Sequence, residues 1–209
     1  MMHSKALNKQ TAISSLNILL LCIFGVFPLS TLADEEIFLG AEDAPVTLIE
    51  YGSLTCGHCV RFHFRVFPKI ANKYIDTGRV KFIFRDYPTS IAAQRGAVAA
   101  RCAGDQYYTM LDRLFKHVGQ WSDADEVDTA LVEQAVAHGI PQASFTECLS
   151  DPAQQALVTQ SQQEAKTKYG VTGTPTFLIN GKLDKGIRKF KELDALLKNA
   201  LIAAESAEQ

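Results

Sequence analysis

Residues 46–59 read Val46-Thr47-Leu48-Ile49-Glu50-Tyr51-Gly52-Ser53-Leu54-Thr55-Cys56-Gly57-His58-Cys59. Val46 to Tyr51 is rich in β-branched and aromatic residues, which predicts a strand. Ser53 to Thr55 reads as a turn, and a helix is expected from about Cys56. Two cysteines with two residues between them, after a strand and at a helix start, make a redox motif. The chemistry follows from the backbone. A helix N-terminus presents unpaired N–H groups and a partial positive charge. A thiolate placed there is stabilised, and its pKa falls from about 8.5 into the range of roughly 3.5–7.5. Cys56, at the terminus, is the expected nucleophile. Cys59, one turn in, is the expected buried resolving thiol. His58 can add positive charge near the Cys56 sulfur.

Outward from this stretch, Val60, Phe64, Phe67, Ile70, Ala71 and Tyr74 recur at helical spacing. Pro68 falls inside the pattern and predicts a kink. Phe62, Phe64 and Phe67 are expected in the core. Val80 to Arg85 is a second strand, so the opening is β-α-β with parallel strands and a right-handed crossover. Residues from about 89 to 168 carry no convincing strand. Breaks near Gly104, Gly119 to Ser122, Gly139 to Pro141 and Asp151-Pro152 divide them into four or five short helices. Trp121, in a polar turn of the insertion, is expected as a core anchor, with a place on a substrate-facing rim as the other reading. Strand character returns at Thr176 to Asn180 and at Lys182 to Ile187, with Asn180-Gly181 between them as a hairpin turn. An amphipathic helix from about Lys189 to Ala204 closes the chain. The order is β-α-β, a helical insertion, then β-β-α.

Composition sets limits on function. The 209 residues are 47% hydrophobic and 21% charged, with a net charge of -2. That is a globular balance without the basic footprint of a nucleic-acid binder. The first 33 residues have the layout of an export signal. Lys5 and Lys9 precede the apolar run Ile18 to Phe27, and Thr31 and Ala33 flank a cut before Asp34. The remainder, 34–209, keeps Cys56, Cys59, Cys102 and Cys148, in a compartment that tolerates disulfides. A zinc ribbon would need a second compact ligand pair, and no other C-x-x-C or H-x-x-x-H exists; no metal or cofactor is called for. His63, His117 and His138 lack ligand spacing and read as surface or helix-packing residues.

Taken with Val171-Thr172-Gly173-Thr174-Pro175-Thr176-Phe177, the strand and Cys56-Gly57-His58-Cys59 resemble a thioredoxin-fold oxidoreductase. The helical insertion resembles that of the DsbA-like thiol:disulfide interchange family. The resemblance spans about Glu36 to Ala200. It implies a cis peptide before Pro175, with Thr174 and Pro175 shaping the client groove beside Cys56. It also implies that Glu50 is a buried acid behind the resolving cysteine, able to take the Cys59 proton; an outward-facing Glu50 on an alternating strand is the competing reading. The implied activity is a periplasmic, monomeric dithiol oxidase that introduces disulfides into reduced exported proteins. A membrane quinone-linked partner would reoxidise it. One departure points elsewhere. DsbA oxidases typically carry Val before the cis-proline, whereas isomerases of this fold often carry Thr, as at Thr174. The Gly57-His58 dipeptide is also that of eukaryotic disulfide isomerases. Periplasmic isomerases, however, carry an N-terminal dimerisation domain, and here barely a dozen residues precede the first strand. A binding module with a purely structural Cys56–Cys59 bond is the reading from another class. Cys102 and Cys148 are either a second disulfide, whose loop closure would contribute roughly 4 kcal/mol, or two buried thiols.

Overall fold

The computed structural model describes residues 36–185 and 189–207. The expected export signal and Ile187 lie outside the described residues.

Strand β1 (Val46–Gly52) pairs in parallel with β2 (Val80–Asp86), Glu50 lying opposite Phe84. On its other side β1 runs antiparallel to β3 (Thr176–Ile179), which pairs antiparallel with β4 (Lys182–Lys185). The spatial order is β2-β1-β3-β4. Asn180 and Gly181 turn the hairpin with φ of 47° and 75°. Positive φ at both central residues is what a tight hairpin turn needs, and Asn-Gly supplies it at low cost.

Both faces of β1 are covered. Leu48 belongs to the large core cluster, while Ile49 and Tyr51 face a second cluster with Ile83, Tyr87 and Leu178. A strand buried on both sides reads as a continuous apolar run. Glu50 breaks that run and points to the same side as Leu48.

Helix α1 (Gly57–Arg65) follows β1, then α2 (Phe67–Ile70), with Pro68 in its first turn. The expected kink is present, and it falls at Val66 between the two helices. A π-helical turn, Ala71–Ile75, then widens the chain before β2. The buried face runs Cys59, Phe62, Val66, Ile70. Phe64 is 41% exposed, so its expected place in the core is wrong. It stands off this face, and the break at Val66 leaves it at the outer surface of α1.

Between β2 and β3 lie α3 (Ile91–Arg101), a short 3-10 turn, α4 (Tyr107–Lys116), α5 (Val118–Trp121), α6 (Val127–Ala137), α7 (Gln142–Leu149) and α8 (Pro152–Tyr169). Six α-helices stand where four or five were expected, because the break near Gly119 is itself the one-turn α5. Ser90 caps α3 by accepting from the Ala93 N–H at 3.0 Å, and Asp151 caps α8 from the Ala153 N–H at 2.8 Å. Such side-chain oxygens satisfy orphan donors of the first turn. Cys102, at the end of α3, is disulfide-bonded to Cys148 of α7. The terminal helix α9 (Phe190–Ala207) returns to the sheet through Leu193, Leu197 and Leu201.

Trp121 links the insertion to the loop that carries the cysteines. It is fully buried, and its indole N–H donates to the Leu114 carbonyl at 2.8 Å. A Cβ added at Gly96 would lie 2.6 Å from the Trp121 ring and 3.1 Å from Leu54, two residues before Cys56. Gly96→Ala should therefore destabilise the protein by about 1–3 kcal/mol, as overpacked cores do. Urea unfolding would show this as a lower midpoint with an unchanged slope.

Candidate active site

Cys56 occupies the N-cap of α1 with extended backbone, φ -78° and ψ 117°. Its own N–H is taken by the Ser53 carbonyl at 3.1 Å. The sulfur is partly exposed, whereas Cys59 is fully buried. Both are free thiols. The Cys56 sulfur stands 3.4 Å from the Thr174 carbonyl oxygen. The peptide between Thr174 and Pro175 is cis, as expected.

The loop bearing Cys56 is tied to the start of the insertion. Ser53 Oγ lies 2.9 Å from Thr89 Oγ1, and Thr55 Oγ1 lies 3.1 Å from Ser90 Oγ. The sequence pattern does not single out these residues. Its one signal is that Ser90 stands at an N-cap position before an Ala-rich helix. The facing loop is tied down as well. Tyr87 donates its hydroxyl proton to the Val171 carbonyl at 3.2 Å, and Thr176 to the Gly173 carbonyl at 2.7 Å.

The two thiols are held in opposite protonation states. Cys56 is lowered from 9.0 to about 5. The largest cause is the hydrogen bond from the Cys59 thiol. Burial opposes it, and the Thr174 side chain and the backbone N–H groups of Cys59 and His58 add to it. His58 is itself exposed, and its hold on the sulfur is through its backbone. Cys59 is pushed far above the ordinary thiol range. Its hydrogen bond to Cys56 is the first cause, followed by burial and by the repulsion that an ionised Glu50 would add.

Glu50 is 3% exposed, on the core side of β1. The outward-facing alternative therefore fails. Burial raises its pKa well above the ordinary carboxylate value, and the charge of Cys56 raises it further. One site thus holds an exposed thiolate, a buried thiol and a buried carboxylic acid that senses both sulfurs. This arrangement can run thiol–disulfide exchange with internal proton transfer.

A family model described as thioredoxin matches residues 32–199. The chain belongs to the thioredoxin family. The solved structures that it resembles include DsbA proteins. It is similar to alpha-DsbA1 of Wolbachia pipientis, with TM-score 0.77 and 28% identity, over 84% of this chain and 96% of that one. It is similar to BdbD of Bacillus subtilis, with TM-score 0.69 and 25% identity, over 79% and 92%. It is also 29% identical over 151 residues to a Rickettsia bellii protein described as a protein-disulfide oxidoreductase. That match covers 71% of this chain and 58% of the Rickettsia protein, so the chain spans little more than half of that relative's length. The β-α-β, helical insertion, β-β-α order is the DsbA form of the thioredoxin fold.

The depressed Cys56 pKa has a consequence for stability. In the reduced protein the folded value, about 5, lies below the ordinary 9.0. The thiolate therefore stabilises the fold fully above about pH 9, and this contribution fades as pH falls and is gone below about pH 5. Glu50, with its raised value, favours the fold in the opposite direction, and the larger part of its shift, from burial, is present in both redox states. The Tm of the reduced protein minus that of the oxidised protein should therefore fall as pH drops from about 9 to about 5. Calorimetry of both forms checks this, and a pH-independent difference would contradict it.

Proposed function

We propose that the protein is a thiol:disulfide oxidoreductase acting on exported proteins in the periplasm, and that its main direction is dithiol oxidation. The observation that carries the reading is the inequality of the two sulfurs, with Cys56 as a stabilised, accessible thiolate and Cys59 as a buried neutral thiol. The likeness to DsbA proteins supports it. Among the described residues no helix is long and apolar enough to cross a membrane.

In the oxidised enzyme a client thiolate attacks the Cys56 sulfur, the one it can reach. The Cys56–Cys59 bond breaks and Cys59 leaves as a thiolate, which takes a proton from the Glu50 carboxylic acid. A second client thiolate then attacks the client sulfur of the mixed disulfide, and Cys56 leaves as a thiolate. Two electrons pass from the client sulfurs to Cys56 and Cys59. A low-pKa sulfur is the better leaving group, so the second step runs toward release of the oxidised client. Each unit by which the Cys56 pKa lies below ambient pH stabilises the reduced enzyme by about 1.4 kcal/mol, or about 30 mV. A membrane quinone-linked reoxidase would accept the electrons, and the enzyme would work as a monomer.

Thr174 favours a second reading. Its side chain helps lower the Cys56 pKa, and a more stable Cys56 leaving group also speeds release of wrongly joined clients, which suits an isomerase.

Oxidation of reduced ribonuclease, set against rescue of scrambled ribonuclease, separates the two. The oxidised protein should convert reduced ribonuclease rapidly and show a reduction potential nearer about -120 mV than about -270 mV. Cys56→Ser should abolish this, and Cys59→Ser should accumulate mixed disulfides at Cys56. Efficient rescue of scrambled ribonuclease with little net oxidation would favour the isomerase. A Cys56–Cys59 bond that resists a glutathione buffer would leave only a binding module.

A further inference from the structure

Helix α4 buries one face in the core and turns another toward a cavity of about 570 Å³. Thr109, Asp112, Arg113, Lys116 and His117 line this cavity. They recur at spacings of three and four, the spacing of one helix face. His138, the residue that ends α6, adds an imidazole from a second helix. The volume is that of a small-ligand site, roughly 300–1,000 Å³. Such sites are mostly apolar, whereas this lining is polar and largely basic. Neither cysteine lines it, nor does the Thr174–Pro175 loop.

The charges in the cavity do not balance. Asp112 is the one carboxylate in its lining, and both oxygens are engaged. Oδ2 pairs with Lys116 at 2.7 Å, and Oδ1 lies 3.1 Å from His63 Nε2. Arg113 is left over. It is half-buried and its Nε is fully buried, yet among the described residues its guanidinium has no hydrogen bond and no ion pair. A guanidinium is charged in any protein. The cavity therefore holds a fixed positive charge without a counterion, in a chain whose net charge is -2. The C-terminal end of a helix favours cations, and Arg113 and Lys116 both stand in the last turn of α4. That accounts for Lys116, whose side chain is 54% exposed. It does not account for Arg113, because taking an N–H out of water without an acceptor is unfavourable, and an exposed ammonium would avoid it. What burial of Nε does achieve is orientation. With Nε held in the wall, the terminal Nη groups are what Arg113 can present to the cavity, as a planar pair of donors.

Other donors stand around it. The Thr109 hydroxyl donates to the Gln106 carbonyl at 2.9 Å, so it accepts from His138 Nε2 at 3.0 Å. That bond orients the imidazole and leaves Nδ1 for a further partner. Lys116 keeps two N–H donors beyond the one directed at Asp112. We propose that this cavity binds a phosphate group, with the Arg113 guanidinium clamping two of its oxygens and His138 and Lys116 reaching the others. A carboxylate would satisfy the guanidinium fork and leave the imidazole and the ammonium unused. A phosphate monoester carries about -1.5 to -2 at pH 7 and three acceptor oxygens, which matches one uncompensated guanidinium and its neighbours. The remaining volume admits an organic substituent, so the phosphate can belong to a soluble molecule or to a lipid headgroup. No bond is made or broken at this site, and its occupancy does not depend on the state of the cysteines.

The test uses the oxidised protein, in which the Cys56 thiolate cannot contribute. Inorganic phosphate is titrated against chloride at constant ionic strength, and binding is followed by calorimetry and by the side-chain nitrogen resonances of Arg113 and His138. Saturable binding that moves both resonances is the expected result. Arg113→Gln should weaken it about 10- to 100-fold, as loss of charge-assisted hydrogen bonds does. Arg113→Lys keeps the charge without the fork and should weaken it less. Lys191→Gln, at an exposed position of α9 outside the cavity, should bind as the wild type does. Vesicles containing phosphatidic acid, set against phosphatidylcholine alone, separate the two sources. Arg113-dependent capture by the first, competed away by free phosphate, assigns a lipid headgroup, and binding of inorganic phosphate without such capture assigns a soluble phosphate. Phosphate binding that does not saturate, or that is unaltered in both Arg113 variants, would overturn the proposal. Acetate binding as tightly as phosphate would overturn it too, since the cavity would then select a carboxylate.

Discussion

The start of α1 gives two sulfurs one turn apart different electrostatic fates, and the remaining structure maintains that difference. Cys56 stands where backbone N–H groups lack helical partners, and Cys59 stands where they are used up. Once Cys56 holds the negative charge, the Cys59 proton is its best hydrogen-bond donor, and that bond in turn keeps Cys59 protonated. Neither state is stable alone. The pair works as a unit, with one sulfur ready to leave and the other ready to receive a proton.

The surrounding elements serve this asymmetry at a cost. A carboxyl group in the middle of a doubly covered strand sacrifices burial that Val or Ile would have contributed, and burying an unpaired carboxylate is prohibitive. The group stays neutral instead, which suits a proton donor. Ser53, Thr55, Thr89 and Ser90 tie the cysteine loop to the insertion, and Leu54 is backed by Trp121 across Gly96. The insertion thus buttresses the loop from behind. The disulfide between Cys102 and Cys148 holds two of its helices together without touching the reacting sulfurs.

Features written in adjacent residues are legible in the amino-acid sequence. The hairpin turn follows from Asn180-Gly181, the helix break from Pro68, and the exposed-then-buried order of the two sulfurs from Cys56 and Cys59 at a helix start. The cis peptide at Pro175 and the burial of Glu50 come only from family resemblance, because nothing in a single dipeptide or a lone carboxylate announces them. What stays hidden depends on contacts between distant segments. Phe64 fits a helical period yet faces out, because the helix breaks two residues later and the buried face shifts to Phe62 and Val66. The one-turn α5 and the π-helical turn after α2 leave no period to read. His63 reads as a packing residue, and it does pack, with its ring stacked on Phe67 and Phe115.

Direction and mechanism both turn on the charge of one sulfur. Ultraviolet absorbance of the reduced protein near the usual thiolate band, followed against pH with Cys56→Ser as the blank, reports that charge directly. A single transition centred near 5, absent from the Cys56→Ser protein, is the expected result, with Cys59 silent through neutral pH. A Cys56 transition near the ordinary thiol value of about 8.5 would contradict this, since the site would then have no stabilised leaving group and no reason to run toward oxidation.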